Sequence, residues 1–243
     1  MSAAFFWGAV AGSSLVIGGL IALYVRVSPR NLGLVMAFGA GVLISAVAYE
    51  LVDEAFSTAD GGVVVALGLF AGSAVFFFGD ALLDRHGAEH RKRSTGQQDA
   101  GSPLAIVLGI VLDGIPESIV LGLTLVGGDG VSAAMLAAVF LSNLPEAIAA
   151  TAGLRLSGWT SSRILALWLI VALVTALASL AGFAFFDGAS GDVVAFVLAF
   201  AGGAILTMLA DTMMPEAFEH GGKLVGLFTT LGFALAFAIS ALE

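Results

Sequence analysis

The 243-residue chain has a mean hydropathy of +1.06, and 59% of its residues are hydrophobic while only 11% are charged. Soluble domains are about one quarter charged, so this composition excludes an ordinary soluble protein and indicates a chain that lies largely in lipid. The net charge of −9 comes without a cluster of bases on a soluble surface, which argues against nucleic acid as a partner. The absence of cysteine excludes disulfides, cysteine-based zinc sites and thiol catalysis.

Eight apolar runs approach or exceed the length of about 20 residues that a membrane-spanning helix needs. The runs are continuous rather than alternating, so they predict helices and not the strands of a transmembrane barrel. We therefore predict an all-α polytopic membrane protein, with a single transmembrane domain over residues 1–243 and a first helix that is retained rather than cleaved. The predicted helices cover about 3–25, 33–56, 62–83, 103–126, 131–156, 162–186, 192–218 and 222–242.

The basic residues predict the orientation of these helices. All nine lysines and arginines lie in the first, third, fifth and seventh connections or at the helix ends beside them, whereas the other connections carry aspartate and no base. Basic loops stay on the cytoplasmic side, so both termini are predicted to lie outside. The bases are Arg26, Arg30, Arg85, Arg91, Lys92, Arg93, Arg155, Arg163 and Lys223.

The second and seventh predicted helices share a sequence pattern at one fixed offset. Since the two helices run in opposite directions under this orientation, the pattern predicts an inverted repeat, which is typical of secondary transporters. Helices 1–3 and 6–8 would then surround helices 4–5 in a 3+2+3 arrangement, although chance similarity between Ala/Gly-rich helices stays open. Residues Ala37, Phe38, Gly41, Ala48, Glu54, Ala55 and Phe56 recur as Ala199, Phe200, Gly203, Ala210, Glu216, Ala217 and Phe218.

Acidic residues mark the ends of these two helices. Glu50, Asp53 and Glu54 lie toward the outer end of the second helix, and Asp211 and Glu216 toward the inner end of the seventh. We expect them to be staging ligands for a cation, one group at each mouth of a pathway.

The remaining polar residues are expected to be less specific. Asp80 is expected to be solvated near the inner end of the third helix, and residues 84–102 form a flexible cytoplasmic loop. His86 and His90 in that loop share a helical face and are a weak candidate for metal capture, beside the simpler interpretation of a basic loop.

The main functional signal is a duplicated Pro-Glu motif in the fourth and fifth helices, Leu112–Ser118 and Leu141–Ala147. A carboxylate inside the bilayer costs several kcal/mol, so its usual explanation is a functional site. Each proline also frees the carbonyl of the residue four positions earlier, here Leu112 and Leu141. Two such helices side by side would collect carboxylates and loosened carbonyls around one point.

Helical spacing then selects the ligands. Residues three or four apart share a helix face, and no Lys, Arg or His lies at comparable depth to neutralise the carboxylates. The pattern predicts a cation site, with a protonated carboxyl in a proton pathway as the open alternative. Its candidate ligands are Asp113, Glu117, Ser142, Asn143 and Glu146.

This arrangement resembles the ZIP (Zrt-, Irt-like) family of divalent metal transporters over essentially the whole chain. Members typically carry His-Asn-x-Pro-Glu-Gly in the fourth helix and a polar pair followed by x-Pro-Glu in the fifth. Pro116, Glu117, Pro145 and Glu146 match these motifs, and Asn143 holds a position that is commonly Asp, Asn or Glu.

The chain departs from the family pattern in one chemical direction. Asp113 stands where the family usually has His, Gly114 where it has Asn, Ser142 where His or Gln is common, and Glu50 where a His often lies. Oxygen ligands favour harder ions than imidazole does. We therefore expect a site that still takes Zn²⁺ but selects it less well, with Mn²⁺, Fe²⁺ or Cd²⁺ as further cargo. A single metal is favoured over two, because Gly114 and the sixth helix offer no second set of ligands.

The resemblance implies a metal uptake transporter of the plasma or inner membrane that works by alternating access and is not an enzyme. No cofactor is expected, since the metal is the cargo, and the partners are divalent ions and the bilayer. Small-residue patterns at Gly8, Gly12 and Gly202–Gly203 leave a homodimer open beside packing inside one subunit. Alternative functions are a metal-selective channel, a non-transporting homologue that senses metal, and an intramembrane metalloenzyme. The metalloenzyme alternative is not supported by the sequence, because His-Glu-x-x-His and Asp-rich phosphotransferase motifs are missing.

Overall fold

The computed structural model describes residues 1–83, 85, 103–126 and 130–242, and within this part the chain is helical and contains no β-strand. The predicted loop 84–102, with His86 and His90, lies outside the described residues except for Arg85. The α-helices are α1 (Ser2–Tyr24), α2 (Pro29–Ala46), α3 (Glu54–Thr58), α4 (Gly62–Leu83), α5 (Pro103–Leu123), α6 (Ala133–Leu156), α7 (Ser161–Phe186), α8 (Gly191–Met208), α9 (Met214–Gly221) and α10 (Val225–Ser240).

The prediction of an all-helical protein with many apolar spans is confirmed, but the count of eight is not. In the described part of the chain, seven α-helices have at least 18 residues, and six continuous helical segments are long and apolar enough to cross a membrane. The predicted seventh and eighth helices lie in one such segment, Gly191–Ser240, which is interrupted at Gly222 (φ 59°) by a 3₁₀ turn. The α10 helix has only 16 residues, or about 24 Å, which is short of a hydrocarbon core of about 30 Å. The α5 helix, with the first Pro-Glu motif, is not among the six.

Capping residues explain the shifted helix starts. The second predicted helix begins at Pro29, four residues early, because Ser28 accepts a hydrogen bond from Asn31 N at 3.2 Å and proline suits the first helical position. The fifth begins at Ala133, because Ser132 caps it by accepting from Met135 N at 3.0 Å.

Two π-helical segments interrupt the repeated helices at equivalent positions. Val47–Asp53 lies between α2 and α3, and Leu209–Met213 lies between α8 and α9. Both begin at the offset that relates the two helices in sequence. Such segments widen the helix locally and are frequent at functional sites.

The repeated helices also pack on their neighbours in the same way. A Cβ at Gly41 of α2 would collide with the Thr229 carbonyl of α10, and a Cβ at Gly203 of α8 would collide with the Leu69 carbonyl of α4.

The converse contacts complete the pattern. A Cβ at Gly232 of α10 would meet the Phe38 carbonyl, and a Cβ at Gly72 of α4 would meet the Phe200 carbonyl. Within each pair, the residue numbers of the contacts rise along one helix as they fall along the other, so the two helices of each pair are antiparallel. The pair of α2 and α10 therefore matches the pair of α8 and α4.

The small-residue patterns that left a homodimer open are used inside the subunit. A Cβ at Gly8 would lie 2.6 Å from Ser179 Cβ, and a Cβ at Gly12 would lie 2.9 Å from Ala172 Cα, both on α7. The hydroxyl of Ser179 also donates to Ala4 O at 2.9 Å.

The two ends of the helix bundle carry different charges. At one end Arg155 Nη1 donates to Leu23 O at 3.3 Å, beside Arg26, and the start of α2 packs against the end of α9, near Lys223. At the other end Asp60 N donates to Asp192 Oδ1 at 3.1 Å.

Among the six apolar segments long enough to cross a membrane, burial is greatest in those that contain α2 and α6 and least in α4. The most apolar stretch of α6 is 67% buried, against 22% for α4, so α6 lies in the interior and α4 exposes phenylalanines outward. Asp80 of α4 is only 8% exposed, so the expectation of a solvated Asp80 is wrong: it lies on the buried side of an otherwise exposed helix.

Candidate functional site

The first Pro-Glu motif buries its carboxylates inside the bundle. Asp113 is 2% and Glu117 is 1% exposed, and they lie one turn apart on α5. Pro116 interrupts the hydrogen bonds of this helix, and Ser118 Oγ donates back to Gly114 O at 2.5 Å. A proline and a serine back-bond on one turn both favour a bend. The irregular turn therefore lies where the acidic side chains are.

The second motif is buried in the same way. Ser142, Asn143 and Glu146 on α6 are at most 3% exposed, and Pro145 lies inside the helix. The carbonyl that this proline leaves without its helical donor, that of Leu141, faces α2, since a Cβ at Gly39 would lie 3.0 Å from it. The glycine lets α2 cover this oxygen, which is therefore packed against a helix.

One contact joins the two motifs. Ser142 Oγ lies 3.4 Å from Glu117 Oε2 and 3.1 Å from Val139 O, and its single proton can be donated to only one of them at a time. The bond to Val139 O is the shorter one, and the contact with Glu117 Oε2 places two oxygen atoms side by side across the interface of α5 and α6. Two oxygens bound to one tetrahedral Zn²⁺ at about 2.0 Å lie about 3.3 Å apart. The observed spacing therefore suits two ligands of one cation.

The electrostatics also favour a cation. The chain supplies no Lys, Arg or His between residues 94 and 154, and the base that α6 carries, Arg155 in its last turn, donates to Leu23 O of α1. Buried carboxylates are stable when they are protonated, hydrogen-bonded or bound to a metal. A divalent ion bound between two of these carboxylates would balance their charge.

A small cavity lies beside the motifs. It measures about 10 Å³ and is lined by Gly114, Asn143 and Thr175 together with apolar side chains. A space of about this size holds one water. The hydroxyl of Thr175 on α7 donates to Val171 O at 3.0 Å, and the residue also lines this cavity beside Asn143, a candidate ligand. Only the packing of α7 against α5 reveals this position.

Gly114 provides a test of the site. A Cβ at this position would have no neighbour within 4 Å, so Gly114→Asn should fold and place an amide beside Asn143. We expect Zn²⁺ to bind about tenfold more tightly, because one added ligand contributes at least about 1.4 kcal/mol. Isothermal titration calorimetry in detergent measures the zinc affinity. The control is Gly226→Asn, since a Cβ at Gly226 would also have no neighbour within 4 Å. Unchanged zinc affinity would place Gly114 outside the cation site.

The predicted outer staging residues occupy different environments. Glu50, in the π-helical segment, is half-buried and accepts a hydrogen bond of 2.6 Å from Ser132 Oγ, the residue that caps α6. This bond ties the acidic segment to the helix that carries the second motif. Asp53 and Glu54 are exposed, and Glu54 Oε1 accepts from Thr58 Oγ1 at 3.3 Å. The structure thus brings only Glu50 of these three to the motif-bearing helices.

The predicted inner staging residues also separate. Asp211 lies in the second π-helical segment and is exposed, lining an open groove of about 670 Å³ between α4 and α8 with Phe70, Phe77 and Phe78. Glu216, in contrast, is 4% exposed and faces the interior from α9. The two acidic groups therefore point to different surfaces, since they are five residues apart and only residues three or four apart share a helix face.

The comparisons with known proteins add nothing to this description: the chain matches no protein-family model and none of the curated proteins.

Proposed function

We propose that the protein is a divalent transition-metal transporter that moves Zn²⁺, and less selectively Mn²⁺, Fe²⁺ or Cd²⁺, into the cytoplasm. The observation that carries the proposal is the pair of buried Pro-Glu motifs on adjacent helices, with Ser142 Oγ 3.4 Å from Glu117 Oε2. The metal would exchange its waters for Asp113, Glu117, Asn143 and Glu146, with Ser142 as a further oxygen ligand.

The choice of metal follows from the ligand chemistry. Every candidate ligand on α5 and α6 is an oxygen donor, from a carboxylate, an amide or a hydroxyl. Such sets accept Mn²⁺ and Mg²⁺ more readily than imidazole sites do, while Zn²⁺ stays ahead of Mn²⁺ in intrinsic affinity. We therefore propose zinc-type transport with relaxed selectivity.

Alternating access is supported by the internal repeat. Matching π-helical segments and reciprocal glycine contacts relate α2 and α10 to α8 and α4. We propose the eight-span 3+2+3 arrangement on this basis, with α5 and α6 as the central pair. Two related halves around a fixed site are the usual build of a carrier that rocks between two openings.

The orientation is part of the proposal. The end with Arg26, Arg155 and Lys223 would be cytoplasmic, and both termini would lie outside the cell membrane. A negative-inside potential then favours entry of a cation by about 2.3 kcal/mol per charge per 100 mV. Uptake is therefore the favoured direction.

Uptake into proteoliposomes tests the function directly. Purified protein should take up Zn²⁺ saturably, excess Mn²⁺ should slow that uptake, and Glu117→Ala/Glu146→Ala should abolish it. Parallel measurements with Fe²⁺, Cd²⁺ and Mg²⁺ give the rank order. Absence of flux for every metal, or flux that ignores the double substitution, would contradict the proposal.

The same assay separates the alternative functions. A channel would conduct without saturation, and a sensor would bind metal without flux. An intramembrane metalloenzyme would need a general base beside its metal, and no observation on the described residues favours one.

A further inference from the structure

A second group of metal-ligating side chains lies at the end of α9, away from the Pro-Glu motifs. One ligand atom each from Glu216, Glu219 and His220 lies within 4.8 Å of the other two. The spacing follows from the helix, because Glu219 and His220 lie three and four residues after Glu216, and residues at these separations are neighbours on a helix surface. All three belong to one eight-residue helix, Met214–Gly221.

The imidazole of His220 is oriented for metal binding. Its Nδ1 lies 3.1 Å from Glu216 O, a carbonyl oxygen that can only accept, so Nδ1 carries the proton and donates. The neutral ring then presents the lone pair of Nε2. Metal-binding histidines commonly use this arrangement, in which a backbone carbonyl fixes the tautomer and leaves the other nitrogen for the ion.

The surroundings give the group a rigid inner side and an open outer side. Glu216 is 4% exposed, His220 is half-buried and Glu219 is exposed. The start of α2 fits closely against the histidine, since a Cβ at Gly33 would lie 2.9 Å from His220 Cβ. An ion here would be held from the protein side and reached from water through Glu219.

We propose that Glu216, Glu219 and His220 form a second binding site for a divalent transition metal, independent of the site on α5 and α6. One imidazole nitrogen and two carboxylates form a mixed ligand set that suits Zn²⁺, Fe²⁺ and Co²⁺ and discriminates against Mg²⁺ and Ca²⁺. Three protein ligands leave a coordination position for water, so the metal can exchange. The site shares no residue with the proposed transport site, and its existence does not depend on transport.

The nitrogen ligand provides the sharpest test. The chain has three histidines, at 86, 90 and 220, so His86→Ala/His90→Ala leaves His220 as the sole imidazole. Adding Glu117→Gln/Glu146→Gln removes the two glutamate ligands of the proposed transport site. In this background, purified without a histidine tag, one equivalent of Cu²⁺ should give imidazole nitrogen coupling in pulsed electron paramagnetic resonance. His220→Ala should abolish the coupling. If the background protein that keeps His220 shows no imidazole nitrogen coupling, the proposed site is wrong.

Zinc affinity in the same background tests the carboxylates. Glu219→Gln should weaken Zn²⁺ binding at least tenfold, measured by competition with a chromophoric chelator. Glu219 is exposed, so its substitution leaves the fold intact, and Asp187→Asn is the matched control for the loss of one exposed charge. Unchanged affinity in Glu219→Gln would contradict the proposal. Because both transport glutamates are already replaced and each result is a comparison within this background, failure of the transport proposal would leave the nitrogen-coupling and affinity results unaffected.

Discussion

Replacing either Glu117 or Glu146 alone with glutamine should reduce Zn²⁺ uptake by at least about 100-fold. Removing one charged partner from a buried pair costs about 3–5 kcal/mol, and each 1.4 kcal/mol is about tenfold in affinity. Glutamine keeps the size and one acceptor oxygen of glutamate, so the loss reports on charge and metal ligation. Initial uptake rates in proteoliposomes, measured against zinc concentration, give the result.

Protein stability separates a lost ligand from a lost fold. Without metal, each variant should melt at or above the temperature of the wild type, because a buried carboxylate has been replaced by a neutral group. Zinc at about 100 times its dissociation constant should stabilise the wild type by about 2.7 kcal/mol and the variants far less. Asp187→Asn removes an exposed charge outside the site and should retain both uptake and stabilisation. If Glu117→Gln transports as well as this control, the motif on α5 is not the transport site.

Replacing Gly41 or Gly203 with alanine should destabilise the fold by about 1–3 kcal/mol. The added Cβ at either position would collide with a backbone carbonyl, that of Thr229 or that of Leu69, so two helices would have to separate. Alanine has a higher intrinsic helix propensity than glycine by about 1 kcal/mol. A loss of stability would therefore come from the collision between helices and not from the helix propensity of the new residue. Thermal unfolding in detergent should show a lower midpoint for both variants.

The matched control should shift in the opposite direction. Gly226 on α10 has no atom within 4 Å of a Cβ placed on it, so Gly226→Ala should leave the midpoint unchanged or raise it. The two crossings are equivalent under the repeat, so the losses at Gly41 and Gly203 should be similar. Tolerance of alanine at either position would mean that the helices are not in contact there.

The two halves of the candidate site are related but unequal. The second motif lies on α6, one of the most buried helices, and offers Ser142 and Asn143 before its proline; the first offers Asp113 and Gly114 at the corresponding positions. The additional carboxylate therefore comes from α5, where the open space at Gly114 lies beside it. This asymmetry places the most adaptable part of the site on α5, where selectivity is most open to change.

Helix type, approximate position and the burial of the motifs could be predicted from local sequence. Long apolar runs can satisfy their backbone only as helices in lipid, and Asp113, Glu117 and Glu146 are inside as expected. The ends of the helices were predicted less well. The Ser28-Pro29 and Ser132 caps extend or shift the helices by a few residues, and the run of 50 residues is interrupted at Gly222–Leu224, just after the predicted connection at 219–221.

The sequence by itself determined which residues are apolar enough to span a membrane and which polar residues are forced to lie among them. Those properties depend on each residue and its near neighbours along the chain. Only the tertiary structure decided that Asp80 is buried and that one ligand atom each from Glu216, Glu219 and His220 lies within 4.8 Å of the other two. The physical reason is packing: the close approach of neighbouring helices and the conformations of the side chains decide which groups are covered and which meet, and no local pattern in the sequence records them.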